Sequence, residues 1–233
     1  MRVLAVGDIH GCLVAFRALL AAVEPRPDDL IVTLGDYVDR GPDTCGVLNL
    51  LIEMRGTGRL IALRGNHEVM MQKARDDEFR EGAGWLAFGG RQTLASYGVA
   101  EPTIQDLDRV PAAHWYFLEH DCRDWYETKT HFFVHASAYP DMPLEEQPTY
   151  MLHWEKIADL GPHQSGKVMV CGHTRQPGGI PLNLGHAICL DTGAYAGGWL
   201  TCLDCGNGAF WQANEQGDVR TGRLEDVEET HFD

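Results

Sequence analysis

The stretch Gly35-Asp36-Tyr37-Val38-Asp39-Arg40-Gly41-Pro42 constrains this chain more than any other, because it sets two carboxylates beside an arginine directly after an apolar run. That run, residues 30–34, reads as a buried strand, and in α/β sheets ligands gather where strands end and the chain turns into the next helix. Asp36 and Asp39 are therefore expected at a sheet's carboxyl edge. Asp, Gly and Pro are also ordinary turn residues. What favours a ligand loop is that other strand ends in the chain carry complementary donors.

Residues 3–6 form a short apolar run that breaks into Gly7-Asp8-Ile9-His10-Gly11, and a helical stripe of Leu13, Phe16, Leu19, Leu20 and Val23 follows. After the central motif, Val47, Leu50, Leu51 and Met54 mark a second helix, with Asp43 or Thr44 as its cap. Residues 60–63 form a third strand that runs into Arg64-Gly65-Asn66-His67-Glu68. The β-α-β-α-β order argues for a parallel sheet with right-handed crossovers. Residues 69–130 read as a helical insertion on one side of that sheet. Strands are expected again at 131–136, 167–171, 187–190, 199–203 and 209–213, as antiparallel meanders in a second sheet. The end, 215–233, holds seven carboxylates against two arginines and reads as a solvated acidic tail.

At 233 residues with 44% hydrophobic content the chain suits one α/β domain, 1–233. Nineteen basic against thirty-four acidic residues give a net charge of −15, which disfavours nucleic acid or an anionic membrane as partner. No apolar run approaches the roughly 20 residues a membrane span needs, and the first strand begins too early for a signal peptide. A cytoplasmic monomer is expected. Seven scattered cysteines look like reduced thiols. Cys202 and Cys205 sit three apart, on opposite faces if in a strand, which disfavours a metal or redox pair.

Collected, the strand ends supply Asp8, His10, Asp36, Asn66, His135 and His173. Six oxygen and nitrogen donors exceed one catalytic metal and suit two divalent ions about 3.5–4 Å apart, with Asp36 the natural bridge. Such donors fit manganese, iron or zinc better than calcium. The other histidines, His153 and His231 among them, have no such context.

The motifs around Asp8-Ile9-His10, Asp36-Tyr37-Val38-Asp39-Arg40 and Asn66-His67-Glu68 resemble the three signatures of the PPP-type serine/threonine protein phosphatases within the calcineurin-like metallophosphoesterases. The likeness is closest to the small bacterial and bacteriophage members, and beyond residue 70 it rests mainly on the two late histidines. It implies an α/β fold, a two-sheet β-sandwich flanked by helices, with both metals at one edge. It makes Asp8 and His10 ligands of the first ion, Asp36 the bridge, and Asn66, His135 and His173 ligands of the second. Mn2+ is the expected metal, with Fe or Zn as the other candidates. His67 becomes the general acid, with Asp39 fixing its tautomer, and Arg40 and Arg64 hold phosphate oxygens. A further phosphate-binding arginine common in the family is replaced here by Lys156, which cannot grip bidentately.

The reaction expected is hydrolysis of phosphoserine or phosphothreonine monoesters on a protein or peptide by direct attack of a metal-bridging hydroxide. A symmetrical dinucleotide polyphosphate hydrolase is the nearest rival, and Asp39 and Glu68 speak against it. A non-catalytic binding scaffold on the same fold is the other alternative, opposed by the full ligand set with His67 and Asp39.

Overall fold

The computed structural model describes residues 1–158 and 160–227. Three β-α units open the chain: β1 (Val3–Val6) and α1 (Leu13–Val23), β2 (Leu30–Thr33) and α2 (Thr44–Arg55), β3 (Leu60–Leu63) and α3 (Asn66–Asp76). Asp43 caps α2 by accepting from the Gly46 N–H at 2.7 Å, one of the two expected caps. The helices α4 (Glu78–Trp85), α5 (Arg91–Ser96) and α6 (Ala112–Tyr116) follow, with a kinked turn over Leu86–Gly90 and a π-helical turn over Phe117–Asp121. After them come β4 (Cys122–Arg123), β5 (Trp125–Glu127), β6 (His131–Val134), α7 (Thr149–His153), β7 (Val168–Cys171), β8 (Leu182–Asn183) and β9 (Ala187–Cys189). The strands β10 (Leu200–Asp204), β11 (Ala209–Ala213) and β12 (Val219–Arg223) close the described chain.

One sheet runs β12-β11-β10-β1-β2-β3-β4 and the other β5-β6-β7-β9-β8. Side chains alternate between faces along each strand. Leu4, Val6, Leu200 and Cys202 pack under the helices, whereas Ala5, Val32, Leu34, Leu63 and Leu203 meet Phe133, Val170 and Ile188 of the second sheet. The outer face of that sheet is covered by Leu144, Leu152 and Ile157. The α/β sandwich expected from the sequence is therefore present, with helices outside both sheets.

Three expectations are corrected. The late antiparallel strands do not build the second sheet: β10 pairs with β1 (Leu4 opposite Asp204) and carries β11 and β12 onto the first sheet. All five residues of β10 are buried, so it behaves as a central strand covered on both faces. The second sheet instead has a parallel centre, β6-β7-β9. The helical insertion ends at Asp121 rather than 130, because β4 adds to β3 and β5 to β6. Strands of two and three residues give too little alternation to be seen in sequence. Finally, part of the acidic end is ordered: β12 forms the sheet edge, exposed and polar, so no apolar rhythm announces it. Residues 228–233 of that expected tail lie outside the described residues, as does His231.

The parallel strands β1, β2, β3, β6, β7 and β9 all end toward one edge of the sandwich, which brings the loops after them together.

Candidate metal and phosphoryl site

Three of the loops at that edge, those after β1, β2 and β7, hold their side chains through unusual backbone. Six non-glycine residues among those described have positive φ, and five of them are His10 (44°), Asp36 (51°), Asp39 (70°), Arg40 (70°) and His173 (61°). Such conformations cost of order 1–3 kcal/mol each and cluster where function requires them. Glu68 braces the central loop from beneath: its Oε2 accepts from the N–H groups of Asp36 (2.8 Å) and Gly65 (2.8 Å), and its Oε1 from Tyr37 (2.7 Å) and Val38 (3.2 Å). Gly65 lets the Asp36 carboxylate approach, since a Cβ there lies 2.1 Å from Asp36 Oδ1.

The ring nitrogens point to a cation. His135 Nδ1 donates to the Leu34 carbonyl at 2.8 Å, and His10 Nδ1 faces the Val38 carbonyl at 2.9 Å. His173 Nε2 faces the Trp154 carbonyl at 3.0 Å. A carbonyl only accepts, so these nitrogens carry the protons and the opposite nitrogens offer lone pairs. Those of His135 and His173 face oxygens. His135 Nε2 is 3.0 Å from Asn66 Oδ1 and 3.4 Å from Asp36 Oδ1, while His173 Nδ1 is 3.0 Å from the same Asn66 oxygen. Burial holds His135 down to about 3, so its ring is neutral and the repulsion is not relieved by a proton. Lone pairs converging without a donor between them fit a bound metal ion.

Two overlapping donor groups result, His10–Asp36–His67 and Asp36–His135–His173, each with its ligand atoms within 4.8 Å of one another. Asp36 is common to both, buried among the His135, His67 and His10 rings. His10 Nε2 lies 3.3 Å from Asp36 Oδ2, and although burial pulls the ring down, that carboxylate holds it above its ordinary value. Asp8 sits beside these groups and accepts the His173 N–H at 3.0 Å. Burial, then the neighbouring Asp191 and Asp36 charges, push Asp8 well up. Three crowded carboxylates of one sign are what divalent ions relieve.

His67 belongs to the first of these donor groups and is also tied to a carboxylate of its own. Its Nδ1 is 2.7 Å from Asp39 Oδ2, and its buried Nε2 has no hydrogen-bond partner among the described residues. Asp39 also accepts from Trp85 Nε1 at 3.0 Å and from Thr93 Oγ1 at 2.7 Å. Arg40 enters the site with Nη1 3.0 Å from His10 Nε2 and its guanidinium carbon 4.6 Å from the centre of the Tyr195 ring.

The two other expected phosphate-binding cations are placed differently. Arg64 Nη1 donates to Asp124 (3.0 Å), and its Nη2 to the carbonyls of Glu119 (3.2 Å) and Cys122 (3.1 Å). Lys156 is exposed, with no partner among the described residues. Sequence reading missed Asp191, Tyr195, Trp85 and Thr93. Asp191 follows an apolar strand just as Asp36 does, and that signal was available. Trp85 and Thr93 gave none, because their roles depend on how the insertion folds back.

The model of the calcineurin-like phosphoesterases matches residues 1–177. The chain belongs to this family. It is 35% identical over 207 residues to serine/threonine-protein phosphatase 1 of Salmonella typhimurium, covering 84% of this chain and 88% of that relative. It is 43% identical over 65 residues to a symmetrical bis(5'-nucleosyl)-tetraphosphatase of Pectobacterium atrosepticum, covering 28% of this chain and 22% of that protein. A protein serine/threonine phosphatase structure from Saccharomyces cerevisiae superposes with a TM-score of 0.62 at 15% identity, covering 99% of this chain and 81% of that one, a likeness of fold.

Proposed function

We propose that this chain is a metal-dependent phosphoprotein phosphatase that hydrolyses phosphoserine and phosphothreonine monoesters. The observation that carries the reading is the His67–Asp39 pair: one ring nitrogen held by a buried carboxylate, the other without a protein partner beside the donor basin. That is the arrangement a proton donor to a leaving alkoxide needs. The extent of sequence similarity supports the substrate class, since the likeness to the Salmonella typhimurium protein phosphatase runs over 207 residues whereas that to the Pectobacterium atrosepticum tetraphosphatase runs over 65.

Asp8, His10, Asp36, Asn66, His135 and His173 would hold two divalent ions, with Mn2+ the proposed native metal for this nitrogen and oxygen donor set. Such ions, when bound, supply Lewis acidity to the phosphoryl oxygens and lower the pKa of water. The chain's own residues do the rest. Arg40 offers its guanidinium to a phosphoryl oxygen, His67, protonated at both ring nitrogens, gives its Nε2 proton to the serine or threonine oxygen as the P–O bond breaks, and Asp39, accepting from Nδ1–H, holds the ring in orientation.

The test refills metal-stripped protein with single metals and measures catalytic efficiency on phosphopeptides, small monoesters and diadenosine tetraphosphate. Phosphopeptides should lead. Diadenosine tetraphosphate cleaved at least about tenfold more efficiently than the best phosphopeptide, a difference of about 1.4 kcal/mol, would overturn the substrate class in favour of the nucleotide hydrolase.

A further inference from the structure

We infer that the helical insertion is part of the acid-base apparatus: Trp85 and Thr93 are positioning residues that hold Asp39, and through it His67, in line for proton transfer. The inference rests on the reading of His67 as proton donor given above.

Asp39 has 0% exposure and its carboxylate accepts from three side chains, of which only His67 belongs to the core motifs. Trp85 Nε1 lies 3.1 Å from Oδ1 and 3.0 Å from Oδ2, so the indole N–H is shared between the oxygens. Thr93 Oγ1 is 2.7 Å from Oδ1 and also accepts the Asp39 backbone N–H at 2.8 Å. One hydroxyl thus fixes both the backbone and the side chain of the same residue. These donors leave the carboxylate little freedom to rotate away from the His67 ring, and a wandering ring would lose most of a general acid's advantage.

The local fold of the insertion is arranged around this contact. Trp85 ends α4 and Thr93 lies in the first turn of α5, so a continuous helix would separate them by eight residues and more than two turns. Between them the chain kinks at Gly89, whose φ of 124° and ψ of −2° are not helical, and this kink folds both side chains back onto one carboxylate. Gly89 also touches the loop it serves. Its carbonyl accepts the Arg40 N–H at 3.3 Å, and a Cβ at this position lies 2.6 Å from Arg40 N and 2.9 Å from Asp39 Cβ. The same turn therefore seats both the Asp39 carboxylate and the backbone of Arg40.

Removing a group that orients an active side chain from behind costs typically about 10–100-fold. The experiment compares turnover of an alkyl phosphomonoester, which needs a proton donor, with an aryl one whose leaving group does not. Thr93→Val and Trp85→Phe should each slow the alkyl ester by about that factor and the aryl ester much less, while Thr93→Ser, which keeps the hydroxyl, should restore the alkyl rate. In the His67→Asn background Thr93→Val should produce no further loss on the alkyl ester, because the residue acts through a ring that is no longer there. An equal loss on both esters, or a full additional loss in that background, overturns the inference. If His67→Asn itself fails to separate alkyl from aryl esters, it is the proton-donor reading underneath that falls. Thr93→Val is small and conservative in shape, so the conclusion does not depend on Trp85→Phe folding.

Discussion

The two ends of the central sheet bury carboxylates in opposite ways. At the amino end Asp29 has no exposed side-chain surface, and its oxygens accept from Arg2 Nη2 (2.6 Å), Arg2 Nε (2.9 Å) and the backbone N–H groups of Arg2 (2.8 Å) and Arg26 (2.8 Å). Burial alone would raise this carboxyl, but the Arg2 guanidinium and the two N–H groups outweigh it and hold Asp29 well below the usual range. At the carboxyl end Asp8, Asp36 and Asp191 crowd together, and the ring lone pairs of His135 and His173 face another oxygen. The amino end is complete within the chain. The carboxyl end is complete only with cations, and that difference separates a structural ion pair from a site.

The largest expected effect comes from removing the carboxylate common to both donor groups. Asp36→Asn should lower turnover by at least about 10³-fold, since divalent ions contribute several kcal/mol to such a reaction and each 1.36 kcal/mol is a factor of ten. Metal analysis of the purified variant should show less of both ions. Full occupancy with wild-type turnover would mean that Asp36 is braced by Glu68 for structural reasons alone.

Chelation should be felt next, as stability. A ligand that binds only the folded state adds about 2.7 kcal/mol at one hundred times its dissociation constant. Stripping metal from the wild type should therefore lower Tm, and adding Mn2+ back should restore it. Asp29→Asn should keep the whole of that increment and Asp36→Asn little of it. Equal increments in the two variants would erase the distinction between the ends.

Much of the carboxyl end was legible because its chemistry needs particular residue types at strand ends: an Asp, His or Asn after an apolar run stands out as Val or Ser would not. Asp39 and Glu68 were legible as motif members, though their tasks, one on His67 and the other on four backbone N–H groups, appear only in three dimensions. The amino end was silent. Arg2 and Asp29 are far apart in the sequence, and an ion pair leaves no periodic trace. The insertion was silent for another reason: the turn joining Trp85 to Thr93 depends on Gly89 at a backbone angle that no apolar rhythm encodes. The joining of β10 to β1 was illegible because alternation within a strand says nothing about which neighbour it takes.

Asp29→Asn probes the amino end directly. The amide would turn a donor toward Arg2 and the Arg26 N–H, so the loss should be about 1.5–3 kcal/mol of stability with kcat unchanged. The sign with pH follows from the depressed carboxyl. Its contribution is complete above the unfolded value of about 3.9 and is lost as pH falls through the lower folded value. The gap in Tm between wild type and variant should thus be constant at neutral pH and close in acid. A gap that widened in acid would contradict the ion-pair account.

Lys156 tests the other half of the contrast, that an unpaired group signals a site only where water is excluded. Among the described residues its exposed ammonium has no partner, just as His67 Nε2 has none, but the imidazole nitrogen is buried and the ammonium is open to solvent. Leaving a polar atom unpaired in the interior costs about 1–3 kcal/mol, a cost that persists only for a purpose, whereas an exposed lysine bears none of it. Arg40 marks the intermediate case: held over Tyr195 against the His10 ring, it is already desolvated in part and pre-aimed. Arg40→Ala should therefore raise KM for a phosphopeptide strongly, and Lys156→Ala should leave it within about twofold, a difference of about 0.4 kcal/mol. A tenfold rise in KM for Lys156→Ala would show that the lysine swings in with substrate and that exposure in the free protein is a poor guide at this edge of the site.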